Sequence, residues 1–94
     1  MVSIKEAAAR ATGFAREALG QERTAGIRLE EVESTTVDGE DAWVITLSML
    51  IPDQQLGEAI ANLLGTGKRE YKSFTVLKRD GEVKSMKIRE LAST

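Results

Sequence analysis

The side chains that carry most protein chemistry are scarce in this chain of 94 residues, which has no cysteine and no histidine. The missing cysteines exclude disulfides, thiolate nucleophiles and zinc–thiolate sites. The missing histidines remove the usual general base near neutral pH and the commonest metal ligand. Catalysis would depend on groups such as Tyr71 or the carboxylates of Glu30, Glu31 and Glu33. We therefore expect a protein that is not an enzyme and has no cofactor and no metal site.

Two short motifs resemble parts of known ligand sites. Residues 65–68, Gly-Thr-Gly-Lys, match the end of a phosphate-binding loop. The full motif needs glycine five residues before its second glycine and Ser or Thr after the lysine, whereas this chain has Asn62 and Arg69 there. The acidic residues 38–41 lack the alternating oxygen ligands and the distal glutamate of a calcium loop. We interpret the first motif as the end of a helix and the second as a solvated turn.

Charge is divided unevenly along the chain. Residues 1–50 carry nine acidic and five basic side chains, a balance of −4, whereas residues 51–94 carry six acidic and eight basic ones, a balance of +2. A basic hairpin beside Tyr71 could bind nucleic acid by stacking and phosphate contacts. The net charge of −2 gives a weak footprint for that function. We expect no nucleic-acid partner and interpret the opposite charges as neighbours within one sheet.

The order of sequence patterns predicts the fold. Residues 3–19 have a capping box at Ser3 and Glu6, an alanine-rich apolar stripe and Gly20 as a stop signal, as expected for a helix. Apolar alternation and turn signals predict four strands and a second short helix, at residues 27–35, 42–51, 69–78 and 83–91 for the strands and 53–64 for the helix. We predict a single α+β domain over residues 1–94, in the order α-β-β-α-β-β. The N-terminal helix packs on a four-stranded antiparallel sheet, and the second helix lies between strands 2 and 3.

Two local irregularities are predicted in this sheet. Val32 has the wrong parity in strand 1, and a bulge near Glu30–Glu31 would correct it. In the last hairpin, a left-handed Gly81 would place Phe74 opposite Met86, so that apolar residues share the core face.

The opposite, second face of the sheet is predicted to be half apolar, and such a patch in water usually marks an interface. Three covers are considered: the 53–64 helix folding back, a second copy or other protein, or the 53–64 segment itself acting as a contact element. The candidate interface residues are Leu56, Ile60, Leu63, Leu64, Tyr71, Leu77, Val83 and Leu91. An alternative is a small-molecule or peptide site in the crevice between sheet and helix near Trp43, with Tyr71 as a polar handle.

The sequence also predicts a location. It has no apolar run near the roughly 20 residues that span a bilayer. Its first ten residues, MVSIKEAAAR, carry charges where a signal peptide would need apolar residues. We expect a cytoplasmic protein with no membrane partner.

The segments AWVITLSMLIPD, led by Trp43, and YKSFTVLKRDGEVKSMKI, led by Tyr71, resemble parts of known proteins. They are similar to small uncharacterised bacterial α+β proteins of the PepSY/cystatin-like type and, more distantly, to the gas vesicle protein O family. This resemblance implies a helix on an antiparallel sheet and roles in binding, inhibition or assembly. We predict a bacterial protein-interaction or assembly module that forms a homodimer or joins a larger assembly through the second face or the 53–64 helix.

Overall fold

One helix and four strands form the fold in the computed structural model, which describes residues 1–51 and 69–89. The elements are α1 Ile4–Arg23, β1 Arg28–Val37, β2 Glu40–Leu50, β3 Arg69–Leu77 and β4 Val83–Ile88. The strands make one antiparallel sheet in the order β1-β2-β3-β4. The prediction of an N-terminal helix on a four-stranded antiparallel sheet is confirmed. The predicted helix at 53–64 lies outside the described residues.

Helix α1 begins at the predicted cap and lies against the sheet through alanines. The Ser3 Oγ accepts a hydrogen bond from the Glu6 backbone N–H at 3.1 Å, which satisfies one of the unpaired donors of the first turn. Three fully buried alanines at four-residue spacing form the contact stripe, at positions 7, 11 and 15. Their small side chains allow the helix axis to approach the strands closely. Gly20 has a φ of 84° and interrupts the helix where a stop was predicted.

The core lies between α1 and one face of the sheet. Its largest buried side chains come from the central strands, namely Ile45, Leu47 and Met49 of β2 and Phe74 and Val76 of β3. The Phe14 ring of α1 meets the Phe74 ring edge to face, with centroids 6.3 Å apart. Burial of each aliphatic or aromatic side chain contributes roughly 1.5–3 kcal/mol. The three β2 side chains alternate along the strand and therefore share the helix-facing side of the sheet.

The first hairpin contains the predicted turn and the predicted bulge. Asp38 and Gly39 both have positive φ values, 51° and 81°, and they form a two-residue turn between Val37 and Glu40. The β1–β2 register shifts between Leu29 and Glu31 and leaves Glu30 as the extra residue. This bulge returns Val32 to the helix face, opposite Ile45.

The last hairpin has the predicted register and one bulge that was not predicted. Phe74 pairs with Met86, and Gly81 is left-handed with a φ of 80°. The register then shifts, because Thr75 pairs with Ser85 whereas Val76 pairs with Val83. Lys84 is the extra residue. It moves Val83, the β4 residue before it, to the face opposite the one that strict alternation would give. The assignment of Val83 to the second face is therefore wrong: Val83 packs against the core beside α1.

The chain start is anchored over the single tryptophan. The Val2 backbone N–H donates to the Lys78 carbonyl oxygen at 2.7 Å, and the Trp43 Nε1–H donates to the Val2 carbonyl oxygen at 3.4 Å. The Lys78 Nζ lies 4.0 Å from the Trp43 ring centroid, within cation–π range. These contacts hold the first residues against the end of the sheet at which both hairpin turns lie.

Candidate functional site

A polar network occupies one end of the second face. Ser48 is fully buried, donates from Oγ to the Glu30 Oε2 at 2.5 Å and accepts from the Arg69 Nε at 2.7 Å. The Arg28 Nε also donates to the Glu30 Oε2, at 2.6 Å. Arg69 further donates to the carbonyl oxygens of Ser48, at 3.2 Å, and of Gly26. The Ser48 hydroxyl of β2 thus connects the Glu30 carboxylate of β1 to the Arg69 guanidinium of β3.

The same contacts explain the ionisation of this network. The hydrogen bond from Ser48, followed by that from Arg28, holds the pKa of the Glu30 carboxyl below its ordinary value. Partial burial, followed by repulsion from Arg28, lowers the pKa of the Arg69 guanidinium. A carboxylate with a lowered pKa is a poor general base near neutral pH. Since the Ser48 hydroxyl is also buried, this arrangement holds the strands together and does not present a nucleophile.

A second polar group links β1 to the residue directly after β4, across the same face. The Arg89 Nη1 donates to the Thr46 Oγ1 at 2.9 Å and lies 3.1 Å from the Glu31 Oε1. The Arg89 contact, followed by a hydrogen bond from Glu33, lowers the pKa of Glu31. Glu31 in turn raises the pKa of Glu33, because the two carboxyls share a hydrogen bond and repel each other when both are charged.

The predicted interface residues do not form one patch among the described residues. Tyr71 is half-buried on the second face, and Leu77 is on the same face but only 2% exposed. Val83 lies on the helix face, as described above. The other five lie outside the described residues, namely Leu56, Ile60, Leu63, Leu64 and Leu91. The apolar patch predicted for the second face is therefore not available at Leu77 or Val83.

The predicted crevice near Trp43 is also not formed by the residues proposed for it. Trp43 pairs with Val76 on the helix face, whereas Tyr71 pairs with Ser48 on the second face, so the two side chains point to opposite sides of the sheet. A cleft of about 380 Å³ lies elsewhere, between α1 and the last hairpin. It is lined by Ala9, Arg10, Gly13, Phe14, Glu17, Gly81, Glu82 and Val83.

The two outer strands differ in charge, and each exposes an aliphatic side chain. β1 carries Glu30, Glu31 and Glu33 against the single Arg28, while the charged residues of β4 are two lysines. On the helix face, Leu29 of β1 is 46% exposed and Ile88 of β4 is 76% exposed. Outer strands present unpaired backbone donors and acceptors that another strand can use. Over residues 1–51 and 69–89, the sheet therefore ends in one acidic edge and one basic edge.

Sequence reasoning identified neither the edges nor the cleft. The charge division between the two halves of the chain was a signal for the edges, but it was interpreted as attraction between neighbouring strands. The meander order instead places the acidic strand and the basic strand at opposite sides of the sheet. A signal for the cleft was Gly13, a helix-destabilising residue inside α1. Gly13 is exposed, and a Cβ atom there would meet nothing within 4 Å, so it does not serve a close approach of the helix to the sheet.

Comparisons with known proteins give no relative, since no family model, no curated protein and no solved structure matches this chain. Over residues 1–51 and 69–89, no helix combines the length and the apolar character needed to cross a bilayer. Within the same ranges, no group of three or more Asp, Glu, Cys or His residues could hold a metal ion.

Proposed function

We propose that this protein is a non-enzymatic self-association module that acts through the edges of its sheet. The observation that carries the proposal is the pair of unlike edges: acidic β1 and basic β4, each with an exposed aliphatic residue on the helix face. The absence of histidine and cysteine supports a non-catalytic role. With the resemblance to bacterial binding and assembly proteins, the proposal places the module in a bacterial cytoplasm.

The charges on the two edge strands favour self-association and do not serve only to prevent pairing with other strands. Charged residues on an edge strand usually prevent unwanted pairing. Protection is effective when all edges carry charge of the same sign, because any two edges then repel each other. Here the edges have opposite signs, so two copies attract when β1 of one approaches β4 of another. Attraction between such surfaces steers association and is screened by salt.

The exposed aliphatic residues supply the apolar part of the contact. Ile88 is three-quarters exposed at the end of β4, and Leu29 is almost half exposed in β1. Both pair with strand neighbours on the helix face, Ile88 with Lys72 and Leu29 with Leu47. Edge pairing would bury both on the same side of an extended sheet, at about 25 cal/mol for each Å² of apolar area removed from water.

Light scattering on a sizing column tests the proposal. We expect the mass of the wild-type protein to rise above 10.3 kDa across a hundredfold range of concentration and to fall again at high salt. The variant Ile88→Lys should stay monomeric with an unchanged circular dichroism spectrum. The matched control is Ile4→Lys, the same change at an exposed position of α1, which should associate like the wild type. A wild-type mass of one chain at every concentration would refute self-association.

The cleft supports a second candidate function, the binding of a small molecule or peptide. Gly13 in a helix interior costs about 1 kcal/mol relative to alanine, and its position in the cleft wall leaves room for a ligand. The polar groups around an apolar centre of Phe14 and Val83 suit an amphipathic ligand carrying a charge. Screening of a fragment library by NMR should give shifts at Phe14 that Gly13→Met abolishes. Shifts that persist in Gly13→Met would exclude this cleft as the site.

A further inference from the structure

We infer that β4 of one copy pairs antiparallel with β1 of the next copy, head to tail, so that the sheet continues from molecule to molecule. This inference rests on the proposed function and names the partner surface. Three successive antiparallel steps separate β1 from β4, so the two strands run in opposite directions. A copy placed beside the first without inversion therefore presents its β1 antiparallel to β4. The helices of both copies then lie on the same side of the sheet.

Two bulges limit where the two edge strands can pair. The extra residue Glu30 interrupts β1 before residue 31, and the extra residue Lys84 interrupts β4 before residue 85. Each edge therefore has a regular segment that begins directly after a bulge, residues 31–37 in β1 and residues 85–88 in β4. Since bulges disturb regular pairing, these segments are where a ladder with another strand can form. The antiparallel register in which residue 85 faces residue 35 of the next copy, and residue 88 faces residue 32, lies within both segments.

Both faces of the sheet agree with this register. On the second face, Lys87 lies opposite Glu33 of the next copy, which pairs unlike charges. On the helix face, the exposed Ile88 lies opposite Val32 of the next copy, which pairs aliphatic side chains. The in-chain pairings assign these faces, since Val32 pairs with Ile45 on the helix face and Ser73 pairs with Lys87 on the second face. A shift of the register by one residue would put Lys87 opposite Val32, whose side chain is on the other face of the sheet. The alternation of side chains therefore allows only registers that differ by an even number of residues.

Symmetric pairing of like edges is disfavoured by charge. Two β4 strands would bring together Lys84 and Lys87 from both copies, and two β1 strands would bring together the glutamates of both. Like charges directly opposite each other destabilise a strand pair. A head-to-tail contact uses two different surfaces and leaves one of each open, so it extends to further copies unless the rotation closes a ring.

Disulfide trapping tests the register, because the chain contains no cysteine of its own. Ser85→Cys and Thr35→Cys each change a half-buried residue of the second face to one of similar size. We expect a mixture of the two variants under mild oxidation to give a covalent dimer with one chain of each kind. The matched control replaces Thr35→Cys by Thr36→Cys, which points to the other face and should give less than a tenth of that product. Equal trapping by both variants, or dimers of Ser85→Cys alone, would overturn the pairing.

Charge exchange gives an independent test. Lys87→Glu should weaken self-association about tenfold, since it replaces an attractive cross-strand pair with a repulsive one. The double variant Lys87→Glu with Glu33→Lys should recover the wild-type affinity, whereas Lys84→Glu, the same change in the bulge, should weaken association less than threefold. A wild-type protein that stays monomeric would refute the proposed function itself. A wild-type protein that associates while the double variant stays as weak as Lys87→Glu would refute only this pairing.

Discussion

Replacing Ser48 with alanine tests whether the buried hydroxyl joins the strands. The change removes one hydrogen bond donated to the Glu30 carboxylate at 2.5 Å and one accepted from the Arg69 guanidinium at 2.7 Å. Hydrogen bonds to charged groups contribute about 1.5–3 kcal/mol each. The loss is smaller than their sum, because the Glu30 side chain is 25% exposed and keeps its contact with Arg28. We therefore expect Ser48→Ala to lower the free energy of unfolding by about 2 kcal/mol at pH 7.

The pH dependence of that loss has a definite sign. The folded protein lowers the pKa of Glu30, so the stabilising contribution is fully present above the unfolded pKa of about 4.3 and disappears as the pH falls through the lower folded value. Ser48 is the largest cause of this lowering. The difference in stability between Ser48→Ala and the wild type should therefore shrink below about pH 4.

Urea denaturation at pH 7 and pH 3, followed by circular dichroism, measures both effects. The matched control is Ser73→Ala, which lies on the same face and loses a neutral contact with the Thr46 hydroxyl at 3.3 Å. We expect this control to cost less than about 1 kcal/mol and to show no comparable pH dependence. Equal losses for the two variants at pH 7, or a loss for Ser48→Ala that is the same at both pH values, would refute the role assigned to the network.

Three further changes have expected outcomes. Gly13→Ala should raise the free energy of unfolding by about 0.5–1 kcal/mol, since the added methyl meets open space and favours the helix; a urea titration that shows a decrease would contradict this. Phe74→Ala should lower it by about 3–5 kcal/mol through loss of a fully buried ring, a cost that thermal denaturation would detect and that a shift below 1 kcal/mol would disprove. Arg89→Gln should raise the pKa of Glu31, which carboxyl NMR titration measures; an unchanged value would show that Arg89 does not bind there.

The fold was predictable where alternation and turn chemistry carry a local signal. Val32 had the wrong parity in an otherwise alternating strand, and that misfit correctly predicted the bulge at Glu30. No equivalent misfit marks Lys84, because Val83 fits either face of a sheet that is apolar on one side and mixed on the other. A bulge that leaves no sequence signal therefore places Val83, a predicted interface residue, on the helix face against the core.

The candidate site was less predictable because it depends on which strands end the sheet. Composition alone identified acidic and basic segments, but strand order decides whether such segments attract within a molecule or between molecules. The contact of Arg89 with Glu31 shows a further difficulty. This long side chain starts directly after β4 and crosses the second face to reach β1, and sequence spacing does not indicate such a contact.

The position of the single tryptophan provides an optical signal that separates folding from assembly. Trp43 lies on β2, which has a strand on each side, and its partly buried ring contacts Val2 and Lys78 of its own chain. Pairing between β1 and β4 of neighbouring copies would leave these surroundings unchanged. Intrinsic fluorescence should thus stay constant while scattered light increases with concentration, and should change only when the chain start detaches or the sheet unfolds.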